Sequence, residues 1–173
     1  MIEHERKFLI KYLPELLHQC KFKEIIDIYL PAHHHNPNLR IRKNGNKYEI
    51  TRKEVIDGDT SKLKEDNLLI NEEEFKELEK EITGKRVHKV RYYYPYQNLI
   101  AEIDVFQGDL KGLILVEFEF PSLEEKEGFT IPEFCLVEVT KTSKEVFAGG
   151  MLCGKKYVDI EQELKKWGYE KKV

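Results

Sequence analysis

Cysteine is scarce in this chain, and its placement excludes more than its number. Cys20, Cys135 and Cys153 lie far apart and form no Cys-x-x-Cys pair, so neither a disulfide framework nor a structural zinc site is expected. Such usage fits a reduced, cytoplasmic protein. Net charge is also nearly absent. The 29 Lys and Arg against 32 Asp and Glu leave −3, too little for bulk electrostatic attraction to nucleic acid or to a membrane surface. No apolar run reaches membrane-spanning length, and no signal-peptide pattern precedes the first strand. Internal repeats and low-complexity linkers are missing too, so a single domain over residues 1–173 is expected. The run His33-His34-His35, followed by Asn36-Pro37, reads as a solvated loop rather than a metal site.

What the chain does have is charge of both signs, in 35% of its residues. The first strand, Ile2 to Ile10, sets the pattern. Glu3, Glu5 and Lys7 are two residues apart and therefore share one face of a strand, with Ile2, His4, Arg6, Phe8 and Ile10 on the other. Neither face reads as plain core or plain solvent. A row of two acids and a base suits a polyvalent anion together with its metal ions.

The remaining elements follow from turn and capping signals. Leu13-Pro14-Glu15-Leu16-Leu17 suggests a short helix with Pro14 in its first position. Strands are expected over 25–30, 39–43, 47–53 and 61–70, with Asn44-Gly45-Asn46 as a hairpin turn. Asn71 and Glu74 form a capping box ahead of a helix whose buried stripe is Phe75, Leu78 and Ile82. Strands over 86–96, 99–106 and 113–120 come next, then a short helix opened by Ser122 and Glu125. A late strand at 136–140 precedes a C-terminal helix marked by Ile160, Leu164 and Trp167. Hairpin-length connections make the strands antiparallel, about eight in number.

The acid or base doublet recurs at strand spacing. Arg40 and Arg42 share a face, as do Thr51 and Lys53, Lys89 and Arg91, Glu102 and Asp104, and Glu117 and Glu119. In the last strand the opposite face is Val116, Phe118 and Phe120, a wholly apolar wall. Closing antiparallel strands into a barrel sends one face inward everywhere. If the charged faces point inward, Glu3, Arg40, Arg42, Lys53, Arg91, Glu117 and Glu119 meet in one cavity. Desolvating such charges unpaired costs several kcal/mol each, so water, mutual pairing or a ligand of matching charge must satisfy them. A triphosphate with a divalent metal fits: guanidinium forks take phosphate oxygens in pairs, and carboxylates hold Mg²⁺ or Mn²⁺, which prefer oxygen ligands.

These residues resemble the signature of the CYTH domain, or triphosphate tunnel metalloenzyme, family, which includes class IV adenylate cyclases, thiamine triphosphatases and inorganic triphosphatases. Glu3-x-Glu5-x-Lys7-Phe8-Leu9 is similar to its first motif. Leu39-Arg40-Ile41-Arg42, Ile50-Thr51-Arg52-Lys53, Lys89-Val90-Arg91-Tyr92, Glu102-Ile103-Asp104 and Glu117-Phe118-Glu119 resemble later motifs in order, and the match runs from residue 2 to about 152. The resemblance implies an α+β fold: an eight-stranded antiparallel closed β-barrel, the triphosphate tunnel, with flanking helices. It implies metal at Glu3, Glu5, Glu117 and Glu119, and phosphate at Lys7, Arg40, Arg42, Lys53, Lys89 and Arg91. Glu3, Glu5, Lys7, Lys89 and Arg91 carry the catalytic role in this reading, with Glu65, Glu102, Asp104 and Lys144 as further candidates. Asn67 departs from the pattern, standing where relatives often have a second acid beyond Glu65. Residues 141–150 also depart, in a region that closes the tunnel in relatives.

Three functions remain open on these residues. The favoured one is a metal-dependent triphosphatase acting on a linear triphosphate, with inorganic tripolyphosphate ahead of thiamine triphosphate or a nucleotide. The others are a class IV-type adenylate cyclase making cyclic AMP from ATP, and a non-catalytic triphosphate-binding module. Tyr92, Tyr93, Tyr94 and Tyr96 could stack on an organic group, although ordinary strand packing is the preferred reading of them.

Overall fold

The computed structural model describes residues 2–82, 84–140 and 146–172, and the side chains of these except at 2, 3 and 59–62. Strands β1 (Ile2–Ile10), β2 (Phe22–Leu30), β3 (Leu39–Asn44), β4 (Lys47–Ile56) and β5 (Asp59–Ile70) lead into helix α1 (Glu72–Glu81). Then come β6 (Lys85–Tyr96), β7 (Leu99–Phe106), β8 (Ile114–Phe120), α2 (Leu123–Gly128), β9 (Cys135–Glu138), α3 (Gly149–Leu152) and α4 (Tyr157–Lys166). Among the described residues the strands form one antiparallel sheet of nine in the order β5-β4-β3-β2-β6-β7-β8-β1-β9. β9 is the late strand expected at 136–140, and it brings the sheet to nine strands by adding to β1 at the end of the row, with Phe8 opposite Glu138. β1 also pairs with β5, through Ile2–Lys64, Glu3–Leu63 and His4–Lys62. That three-residue contact is an additional pairing between the first strand of the row, β5, and the last but one, β1.

Local chemistry explains most element boundaries. Gly45, at φ 61°, takes the tight turn between β3 and β4. Asp57 and Gly58, both at positive φ, make the next hairpin, so β5 begins at Asp59 rather than near 61. Asn71 accepts from Glu74 N–H, and the Glu74 carboxylate accepts from Asn71 N–H, closing the capping box of α1. The Ser122 hydroxyl accepts from Glu125 N–H at the start of α2. The short helix expected at 13–17 is absent. Leu16 sits at φ 60°, which a right-handed helix cannot contain, and a single 3₁₀ turn over Leu17–Gln19 follows it.

The main apolar core lies on the outer face of the sheet. Phe8, Ile10, Ile103, Val116 and Phe118 pack there with Tyr157, Ile160 and Leu164 of α4. Tyr94 and Tyr96 join them against Phe134, and Tyr96 also meets Phe118. Beneath α1, a smaller cluster of Ile28, Ile41 and Phe75 takes in Leu78 and Ile82. The sheet is thus covered on its outer face, and the other face is left for charge. Phe118 is the centre of the outer core, with ring contacts to Phe8, Tyr96 and Phe129 at 6.2, 5.9 and 4.7 Å. Phe118→Ala is expected to cost about 3–5 kcal/mol in urea unfolding; a loss below about 1 kcal/mol would mean that this packing does not hold the sheet.

Candidate functional site

Strand parity sends the charged doublets to the inner face, and register decides what each one meets. Arg42 lies opposite Asp27, Lys53 opposite Glu65, Arg91 opposite Asp104 and Lys7 opposite Glu117. Each base thus faces an acid of a neighbouring strand, an arrangement that favours pairing. Arg42 donates two hydrogen bonds to Asp27, at 2.6 and 2.8 Å. Arg40 lies 3.8 Å from Asp27 and donates to the Tyr29 hydroxyl at 3.2 Å. Arg91 grips Asp104 with two donors, at 2.6 and 2.8 Å, and also meets Glu102. Lys89 donates to Asp104. Lys53 is 3.0 Å from Glu65, and Lys7 is 3.2 Å from Glu117.

The register at β7–β8–β1 is different. Glu102 faces Glu117, and Glu5 faces Glu119. Like charges directly across a sheet repel. Glu102, Glu117 and Glu119 bring carboxylate oxygens within 4.8 Å of one another. These hard oxygen donors, set among repelling carboxylates, suit Mg²⁺ or Mn²⁺. Burial raises the Glu102 carboxyl; Arg91 opposes this, while Glu117 and Asp104 add to it. Burial would raise Glu117 as well, but Lys7, Arg91, Lys53 and Lys89 hold it well below the usual carboxylate range.

The inner face encloses a cavity of about 270 Å³. Of the residues expected there, Glu5, Lys7, Arg40, Arg42, Lys53, Glu65, Lys89, Arg91, Glu117 and Glu119 line it. Glu102 and Asp104 do not line it, and instead hold Arg91 and Lys89 from the adjacent strand. Glu3 takes its place in the backbone pairing of β1, but its side chain lies outside the described residues, as does Lys144 altogether. Sequence reasoning missed Asp27, which is 2% exposed. The signal was available: one acid inside Ile25-Ile26-Asp27-Ile28-Tyr29, at the parity of Tyr29. It also missed the neutral wall formed by residues 36–38 and 147–150.

No protein-family model matches the chain. Over 146 residues it is 34% identical to the inorganic triphosphatase of Nitrosomonas europaea, covering 83% of this chain and 93% of that protein. The chain belongs to the CYTH, or triphosphate tunnel metalloenzyme, family. Among solved structures, the inorganic triphosphatase NE1496 superposes with a TM-score of 0.63 at 29% identity, over 87% of this chain and 93% of that one. A proposed adenylate cyclase from Bacillus halodurans superposes with a TM-score of 0.57 at 17% identity, over 99% and 92%, a likeness of fold alone. Among the described residues no helix is long and apolar enough to cross a membrane.

Inside this CYTH lumen, Asp27 is committed to two arginines. Burial alone would raise its carboxyl, yet Arg42 and then Arg40 hold it well below the ordinary aspartate value of 3.8. Its stabilising contribution is therefore fully present above that value and is lost as the pH falls below it, through the lower value that the folded state gives this carboxyl. Asp27→Asn is expected to lose about 3–5 kcal/mol of stability at pH 7, the cost of breaking a buried pair. The variant should also show a shallower decline of stability below about pH 4 than the wild type. Parallel acid profiles for the two proteins would show that Asp27 is not held as described.

Proposed function

We propose that the chain is a metal-dependent triphosphatase and that inorganic tripolyphosphate is its preferred substrate. The observation that carries this reading is the division of the lumen. Bases from β1, β3, β4 and β6 surround a cavity that borders a cluster of mutually repelling acids. In this reading Arg40, Arg42, Lys53, Lys89, Arg91 and Lys7 bind phosphate oxygens. Arg40 is held from behind by Asp27, 3.8 Å from its Nε, and by the Tyr29 hydroxyl, which keeps its guanidinium in place at the cavity wall. Glu117 and Glu119, with Glu5, Glu3 and Glu102, would hold Mg²⁺ or Mn²⁺. A hard divalent cation at those oxygens supplies Lewis-acid neutralisation of phosphoryl charge. In this reading the β1–β5 pairing would close the sheet into a tunnel and keep bulk water away, so each remaining interaction would act at higher strength.

Water attacks the terminal phosphorus, the anhydride bond breaks, and pyrophosphate leaves beside orthophosphate. Arg and Lys side chains stabilise the charge that moves onto the bridging and equatorial oxygens. Arg91 and Lys89 are already oriented for this by Asp104. Burial, with Arg91 and Arg42 nearby, lowers the Lys89 ammonium to about 8 even though Asp104 supports it. An incoming polyanion would favour its charged form.

The cavity favours a compact anion over a nucleotide. It holds about 270 Å³, and the strand side of its lining is mostly charged side chains that answer phosphate rather than a base. Tyr92, Tyr94 and Tyr96 pack outside it, on Phe22, Phe134 and Phe118; Tyr93 shares the face of Lys89 and Arg91 without lining the cavity, and the Lys23 ammonium lies 5.6 Å from its ring centroid. The test is phosphate release from tripolyphosphate, ATP and thiamine triphosphate with Mg²⁺ or Mn²⁺. Tripolyphosphate should give orthophosphate and pyrophosphate, with ATP turned over far more slowly. Cyclic AMP and pyrophosphate from ATP would identify a cyclase; binding without turnover would identify a sensor. Arg40→Lys should raise KM for tripolyphosphate about tenfold, or about 1.4 kcal/mol, since an ammonium cannot fork two oxygens. An unchanged KM would remove Arg40 from the phosphate site.

A further inference from the structure

The uncharged wall of the cavity is built on two glycines that sterics alone demand. Neither Gly149 nor Gly150 has a positive φ, so backbone conformation does not call for glycine at either position. A Cβ on Gly150 would stand 2.3 Å from Asn36 Oδ1 and 2.4 Å from the Pro37 carbonyl oxygen. A Cβ on Gly149 would stand 1.9 Å from the Tyr29 hydroxyl, the group that accepts from Arg40. The segment is fixed from behind. Leu152 N–H donates to Ala148 at 2.9 Å, Cys153 N–H to Gly149 at 3.0 Å, and the Cys153 thiol to Gly150 at 2.9 Å. Phe147 and Leu152, 2% and 0% exposed, anchor it in the outer core.

This wall differs in kind from the rest of the cavity. The strands present mostly charged heads, with Tyr29, Val55 and Leu63 among them; residues 36–38 and 147–150 present carboxamides, backbone, Pro37, Phe147 and Ala148 and no charge. It carries no cation to continue the phosphate site; of the two rings that border it, Phe147 packs in the apolar core and the Tyr29 hydroxyl is taken by Arg40. Close packing of Gly149 on Tyr29 and Gly150 on Pro37 leaves no room there for a side chain.

We propose that Gly149 and Gly150 are specificity-determining residues: their close packing on Tyr29 and the 36–38 loop ends the phosphate site in a neutral wall that rejects triphosphates esterified at one end. This rests on the triphosphatase reading and adds the reason for a free, inorganic substrate. A nucleoside on the terminal phosphate has to displace the 147–150 segment or leave its phosphates short of Arg40. Gly150→Ala pushes the segment off the 36–38 loop, and Asn36→Ala removes the opposing carboxamide from an exposed position without strain.

The experiment measures kcat/KM for tripolyphosphate and for ATP with Mg²⁺ in the wild type, Gly150→Ala and Asn36→Ala. Melting-temperature shifts given by each anion in EDTA provide a second readout. The ATP-to-tripolyphosphate ratio of kcat/KM is expected to rise about tenfold or more in the variants, a change of about 1.4 kcal/mol in discrimination. The shift given by ATP should grow relative to that given by tripolyphosphate. Should Gly150→Ala fail to fold, the ratio in Asn36→Ala decides. A wild type active on tripolyphosphate whose ratio stays fixed in the folded variants overturns this inference alone. Wild-type turnover of ATP equal to that of tripolyphosphate overturns it too. Absence of turnover on either substrate fails the triphosphatase reading, and the inference with it.

Discussion

The structure depends on burying charge in pairs across antiparallel strands. Ten of the candidate side chains surround one small cavity, and unpaired charges in such a space would cost several kcal/mol each. Register solves most of this. Arg42 meets Asp27, Arg91 meets Asp104, Lys53 meets Glu65 and Lys7 meets Glu117, each on the facing strand. A slip of one residue would turn every one of these side chains to the apolar face. The outer core therefore does more than supply hydrophobic stabilisation. Phe8, Val116 and Phe118, alternating with the charged positions of β1 and β8, fix the register on which the charge pairs rely.

The same pairing divides the acids by task. Asp27 and Asp104 are committed to guanidinium and ammonium groups and hold them in defined orientations. Glu102, Glu117 and Glu119 face one another, and their repulsion is only partly relieved by Lys7 and Arg91. A binding site for anion and metal together needs both arrangements: bases kept in place before the substrate arrives, and carboxylates left with charge to spare. The compact cavity, lined on its strand side chiefly by charged groups, then favours a small polyanion.

Much of this was legible in the sequence because the side-chain period of a strand is 2 whatever its neighbours are. Parity alone assigned Arg40 and Arg42, Lys89 and Arg91, and Glu117 and Glu119 to the same faces that the fold gives them. Register was not legible, since it depends on partners distant in the chain. Glu102 therefore looked secondary, and its approach to Glu117 and Glu119 emerges only when β7 lies against β8. Asp27 was hidden in the strand expected at 25–30, which is otherwise apolar and carries no acid or base doublet. The helix expected at 13–17 failed because a left-handed Leu16 overrides the proline signal. Gly149 and Gly150 read as a divergent loop, and their meaning is a contact with Tyr29 and Pro37 more than a hundred residues earlier.

Separating the tasks of the acids is the central claim, and Glu117→Gln tests it most directly. The substitution removes one charge at nearly constant volume. Tripolyphosphate binding, measured by calorimetry in EDTA, should be at least as tight as in the wild type, because Lys7 and the other bases lose an internal competitor. Phosphate release with Mg²⁺ should fall about 100-fold or more. Wild-type turnover in the variant, or loss of anion binding together with turnover, would contradict the division of the lumen into phosphate-holding bases and metal-holding acids.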